Sequence, residues 1–187
     1  YHTIAFRNKA INPRCATLAE TLRAAGYATR MSGKWHLANI GERNQWPCQR
    51  GFEEYYGTIY GASSFFAPAS LKRNNADASK DFEKPGYYYT DAISDNAASM
   101  IDKSPKDKPL FMYVAYTAAH WPMHAHEKDI AKYKGKYDQG YDSIRTARYK
   151  KMKKLGLIKE EWGLSEKTAD WGKVTNKPWE SRNMEVY

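Results

Sequence analysis

Seven consecutive residues carry no charge: Leu110-Phe111-Met112-Tyr113-Val114-Ala115-Tyr116, between the turn residues Pro105 to Pro109 and the polar Thr117. A strand with one wet face alternates apolar with polar side chains. An uninterrupted apolar run predicts a strand buried on both faces, as inside a parallel sheet. Extended to Ala119, the run is still too short to cross a bilayer. It continues into Thr117-Ala118-Ala119-His120-Trp121-Pro122, which sets His120 just past the strand's C-terminal end. In open α/β sheets, ligands bind at that edge.

A second segment has the same organisation. Thr17-Leu18-Ala19-Glu20 fits a capping box, so a helix is expected to start there, with Leu18, Leu22 and Ala25 on one face and Gly26 ending it. Tyr27 to Ser32 reads as a short strand, and Gly33-Lys34-Trp35-His36-Leu37 as the loop leaving it. From Gly41 to Pro85 the pattern is irregular and predicts long loops with little regular structure. Helical spacing returns from Thr90 to Lys103, with Ile93, Ala97, Met100 and Ile101 in phase. After Pro122, helices are expected at Glu127 to Lys134 and at Tyr141 to Leu155, the latter closed by Gly156. This alternation predicts an α/β fold, and 187 residues suffice for one domain with a real core. The chain starts at Tyr1 rather than Met and ends in what reads as the opening of a helix. Residues 1–187 are therefore expected to be the central part of one domain, cut at both ends.

Charge needs locating before it is interpreted. Between Lys128 and Lys159 stand eleven Lys and Arg against three Asp, a net of +8 out of the chain's +9. So local an excess reads as the solvated face of one helical segment, and a basic glycan- or nucleic-acid-binding module is the alternative it leaves open. Two cysteines, Cys15 and Cys48, make no disulfide framework and read as unpaired thiols.

Lys34 and His36 leave one strand and His120 leaves another. Lys and His at the C-terminal edge of a sheet suit an anion, and His adds proton transfer near neutral pH. By themselves, Lys34 and His36 read first as exposed loop residues. His120, His124, His126 and Glu127 resemble metal ligands only if helical, which Pro122 opposes. The tyrosine and phenylalanine cluster Tyr55-Tyr56, Tyr60, Phe65-Phe66 and Tyr87-Tyr88-Tyr89 reads as packing before it reads as a cleft. Residue chemistry alone reaches an anion-binding α/β domain.

The stretch from Thr17 to Leu37 resembles the second signature of the sulfatase family, a Thr-Leu-Ala-Glu helix and a Gly-Tyr turn before a Gly-Lys-Trp-His-Leu loop. Arg50-Gly51-Phe52 with Tyr56-Gly57, Tyr89 to Ile93, Pro109-Leu110-Phe111 with Ala119 to Pro122, and Gly140-Tyr141-Asp142 through Leu155 to Ile158 agree in order. The resemblance implies an incomplete alkaline-phosphatase-like α/β/α sandwich with a mostly parallel sheet. It implies an arylsulfatase-like sulfuric ester hydrolase acting on a sulfated small molecule or glycan, with no nucleic acid or membrane partner, in the periplasm or secreted. A phosphodiesterase or phosphonate monoester hydrolase of the same superfamily is the alternative. Such enzymes use a formylglycine, made from Cys or Ser in a Cys/Ser-x-Pro-x-Arg motif, beside calcium. By match, Lys34 would bind sulfate and the formylglycine diol, His36 would act as a base, and His120 would assist the leaving group. The sequence departs from the pattern in several places. Neither Cys15 nor Cys48 stands in the modification motif, no calcium-binding segment matches, and Ala38 and Ala119 replace a usual Gly and Pro.

Overall fold

The computed structural model describes residues 6–7 and 10–187. They form two compact units, divided between Pro122 and Met123.

In the first unit, a short hairpin pairs β1 (Phe6–Arg7) with β2 (Ala10–Ile11). Helix α1 (Leu18–Ala24) starts at the expected capping box: Thr17 Oγ1 accepts from the Glu20 amide, and Glu20 accepts from the Thr17 amide. Gly26, at φ 90°, follows the helix end. The buried residue of α1 is Ala19, not the expected Leu18, which is exposed. The cause is Gly51, packed so closely on the first turn that a Cβ there would lie 2.2 Å from the Glu20 nitrogen.

Next come β3 (Ala28–Gly33), β4 (Glu54–Thr58), β5 (Leu71–Arg73), β6 (Ala76–Asp77), α2 (Tyr89–Asp102) and β7 (Leu110–Ala115). The sheet order is β6-β5-β4-β3-β7, with β4 and β7 parallel to β3, β5 antiparallel to β4, and β6 antiparallel to β5. Strands β4 to β6 lie in the stretch expected to be loops. Gly57 and the short length of β4 hide its period, and only pairing with β3 establishes it. Side-chain parity sorts two cores. Met31, Tyr55 and Phe111 pack with Ala19 of α1. Tyr56 and Met112 pack with Ile93 and Met100 of α2 on the other face, where Ser32 Oγ donates to the Ile93 carbonyl. Burying each such large apolar side chain stabilises by roughly 1.5–3 kcal/mol.

Two expectations need correction. Ile101 of α2 is exposed, whereas Ile93, Ala97 and Met100 are buried. Strand β7 is not buried on both faces: Tyr113 is 47% and Val114 37% exposed. Among the described residues β3 is its one strand partner, so it forms the outer strand of this sheet.

The second unit contains α3 (Glu127–Ile130), α4 (Gly140–Lys154) and α5 (Lys177–Val186). Helix α3 is shorter than expected, because Ala131–Tyr133 tighten into a 3₁₀ turn. Tyr141 meets Trp171 edge-on, and Arg182 grips both Glu127 oxygens at 2.8 Å. Arg148, Lys150, Lys151 and Lys154 of α4 are exposed.

Candidate active site

The three candidate residues leave the C-terminal ends of neighbouring parallel strands, Lys34 and His36 after β3 and His120 after β7. The first loop is anchored by its backbone. The Lys34 amide donates to the Ala115 carbonyl at 2.8 Å, Trp35 to Thr58 at 2.9 Å and His36 to Ile59 at 3.0 Å. The loop thus bonds to the end of β7 and then to the end of β4. Trp35 keeps the parity of Met31 and is buried in the same core. Its Nε1 donates to the Gln45 carbonyl at 2.9 Å, and its ring meets Phe52 edge-on. Flanked by this anchor, Lys34 is half-buried and His36 exposed.

Arg50 holds the floor beneath. It is 4% exposed, and its Nε donates to Glu20 at 2.9 Å, its Nη2 to the Cys15 carbonyl at 2.6 Å and its Nη1 to the Gln45 side chain. Gln45 is therefore fixed from one side by Arg50 and in turn fixes Trp35.

His36 has φ 58°, a left-handed conformation uncommon outside glycine. Its ring rests on Gly61. Although the side chain reaches solvent, partial desolvation on the side that rests on the protein holds the imidazole below the usual histidine range, and the charges of Lys34 and His120 nearby depress it further. His36 is thus kept neutral at neutral pH, with an open lone pair for a proton. His120 turns back on its own strand, its amide donating to the Thr117 carbonyl at 2.8 Å. Its Nδ1 bonds the Trp121 carbonyl. A carbonyl only accepts, so Nδ1 carries the proton and Nε2 stays available. Beside it Thr117 is 4% exposed, and its Oγ1 is buried without a hydrogen-bond partner among the described residues.

The sequence singled out Lys34, His36 and His120 but neither Gly61, whose contact with His36 is long-range, nor Thr117, whose burial no local pattern marks. Of the aromatic cluster, Tyr55, Tyr56, Phe65 and Tyr89 are buried packing, whereas Tyr60 and Phe66 are exposed. Cys15 and Cys48 are unpaired, and burial pushes the Cys48 thiol up to about 11, which leaves it unreactive near neutral pH. Among the described residues no group of three or more His, Cys, Asp or Glu is placed to hold a metal. These residues do not fit a calcium site. A cavity lined by Tyr137, Tyr141, Arg145 and Arg148 belongs to the second unit, and none of the three candidate residues lines it.

A sheet with helices on both faces, and a lysine and two histidines at adjacent strand ends, define an α/β domain with a cluster of basic side chains at its sheet edge. Residues 2–167 match the Sulfatase family. The chain is 33% identical to an uncharacterized sulfatase of Schizosaccharomyces pombe, over 95% of this chain and 35% of that protein. It is 30% identical to an arylsulfatase of Klebsiella aerogenes, over 95% of this chain and 40% of that one. The crystal structure of Ps i-CgsB in complex with k-i-k-neocarrahexaose superposes with a TM-score of 0.60 at 26% identity, covering 70% of this chain and 32% of that one. The chain belongs to the sulfatase family, with its alkaline-phosphatase-like α/β fold. It spans 35% and 40% of the two sulfatases compared. Among the described residues no helix is long and apolar enough to cross a membrane.

Proposed function

We propose that residues 1–187 are the central part of a single catalytic domain that hydrolyses sulfate esters. The observation that carries this reading is the grouping of Lys34, His36 and His120 on two adjacent strand ends, with His36 kept neutral by burial and by the other two. Lys34 holds a sulfate oxygen and stabilises charge that grows as the ester S–O bond breaks. His36 takes a proton on its free lone pair. His120, its Nδ1–H tied to a carbonyl, donates a proton from Nε2 to the leaving oxygen, so the group departs as the alcohol. Overall, the ester S–O bond is cleaved by water to give sulfate and the alcohol.

In the family a formylglycine beside calcium supplies the attacking oxygen. Both groups would be held by segments other than these residues. A sulfated saccharide is the preferred substrate class, supported by the neocarrahexaose bound to Ps i-CgsB. Export to the periplasm or medium is part of the same proposal, and cell fractionation checks it. The decisive assay uses a full-length polypeptide containing this chain. Sulfate release from aryl and saccharide sulfates is expected, with a loss of about 10²–10³-fold in Lys34→Ala. Hydrolysis of phosphodiesters or phosphonate esters without sulfate release would overturn the reading.

A further inference from the structure

We infer that Gly61 is a positioning residue for His36: a bare α-carbon against the imidazole face fixes the ring, and any side chain there displaces it. The inference rests on the catalytic reading of His36 above. Gly61 is buried just beyond β4. A Cβ built on it would lie 2.4 Å from Cε1, 2.4 Å from Nδ1 and 2.5 Å from Nε2 of His36. These near-equal distances have a geometric meaning. A point in the ring plane beyond Cε1 would lie markedly farther from both nitrogens, so the Cβ position sits over the ring's face. Gly61 therefore covers the face and leaves the in-plane directions, where the nitrogen lone pair and N–H point, open for substrate.

Neither partner is free to drift. The His36 amide is bonded to Ile59 and the preceding Trp35 is locked in the core, so the backbone that carries the ring is fixed. On the other side, the Tyr60 amide donates to Ser70 Oγ at 3.0 Å, and Thr58 Oγ1 donates to the Tyr60 carbonyl at 3.1 Å. With both backbones held, a methyl group at residue 61 is accommodated by rotating the His36 side chain. That costs little folding stability, because the ring is a terminal group with solvent beside it. It does disturb the site, where a displacement of about 1 Å costs up to about 10²-fold in rate. Covering one face also withholds that face of the ring from water, in the direction of the partial desolvation that lowers the imidazole's proton affinity.

Gly61→Ala in the full-length polypeptide is expected to keep its unfolding midpoint while kcat for sulfate release falls about 10–10²-fold. Its acid limb should also move to higher pH, because a ring pushed into water regains proton affinity. In a His36→Ala background the same change should cost nothing further. An unchanged kcat and acid limb, or an equal loss in the His36→Ala background, overturns the inference. Failure of the sulfatase reading is distinguishable. If the wild-type polypeptide releases no sulfate, the His36 ring titration followed by NMR in this chain still moves up in Gly61→Ala if the contact positions the ring, and stays put if it does not. Should Gly61→Ala fail to fold, nuclear Overhauser contacts between the Gly61 α-protons and the His36 ring in the unaltered chain decide, and their absence refutes the contact.

Discussion

Replacing Arg50 with alanine tests whether the floor of the site is held electrostatically. The guanidinium is 4% exposed and bonded to Glu20, to the Cys15 carbonyl and to the Gln45 side chain. Removing it leaves the largely buried Gln45 oxygen and the Cys15 carbonyl without that donor, at roughly 1–3 kcal/mol per orphaned acceptor. The lost ion pair adds less, because the Glu20 side chain is 32% exposed and screened by solvent. The total comes to about 3–5 kcal/mol, the range for breaking a buried pair from one side. Lysine at this position reaches one of the three acceptors and should lose about 2 kcal/mol, one orphaned acceptor fewer. Urea unfolding followed by tryptophan fluorescence measures both, since Trp35 and Trp46 lie in the affected core. The stability order should be wild type, then Arg50→Lys, then Arg50→Ala. An Arg50→Ala protein within 1 kcal/mol of wild type, or a lysine variant equal to it, would refute the argument.

Three further outcomes are expected. In an NMR titration His36 should ionise below the ordinary histidine range, and Lys34→Ala should move it up. With the folded-state value depressed, the folded form gives up stability as pH falls below the unfolded value of about 6.5, and above that pH His36 has no effect on stability. Gly51→Ala should destabilise by about 2 kcal/mol or more, because residue 51 sits at φ 101° with its Cβ position 2.2 Å from the Glu20 nitrogen; thermal melts read this directly. Thr117→Val should keep a stability within about 1 kcal/mol of wild type or above it in thermal melts, since the hydroxyl it removes is buried without a partner among the described residues, whereas a large loss would mean that the hydroxyl is in use.

What the sequence revealed depended on how local the cause was. The α1 cap, the Gly26 stop and the β3 strand are written in residues a few positions apart, and they stand within a residue or two of expectation. Strand β4 was invisible because its identity lies in pairing with β3, across a separation that no periodicity reports. The apolar run of β7 correctly announced a strand but overstated its burial, since composition records the strand and not what lies beside it. At the candidate site, the places of Lys34, His36 and His120 after β3 and β7 were legible, while a role for them came only from the family resemblance. Gly61 and Arg50 were not, because their partners stand 25 and 30 residues away.

The alternation that buries Trp35 carries one more consequence. Met31 and Trp35 share a side of the chain, and Lys34 falls on the side of Ser32, so ammonium and indole differ by one step of a two-step repeat. Gain of a single residue just before Lys34 would exchange them, driving a charge into the aromatic core and an indole out to the side that Lys34 occupies. Most connecting loops tolerate such length changes. This one inherits the reading frame of its strand, so evolution could vary which residues occupy it far more easily than how many.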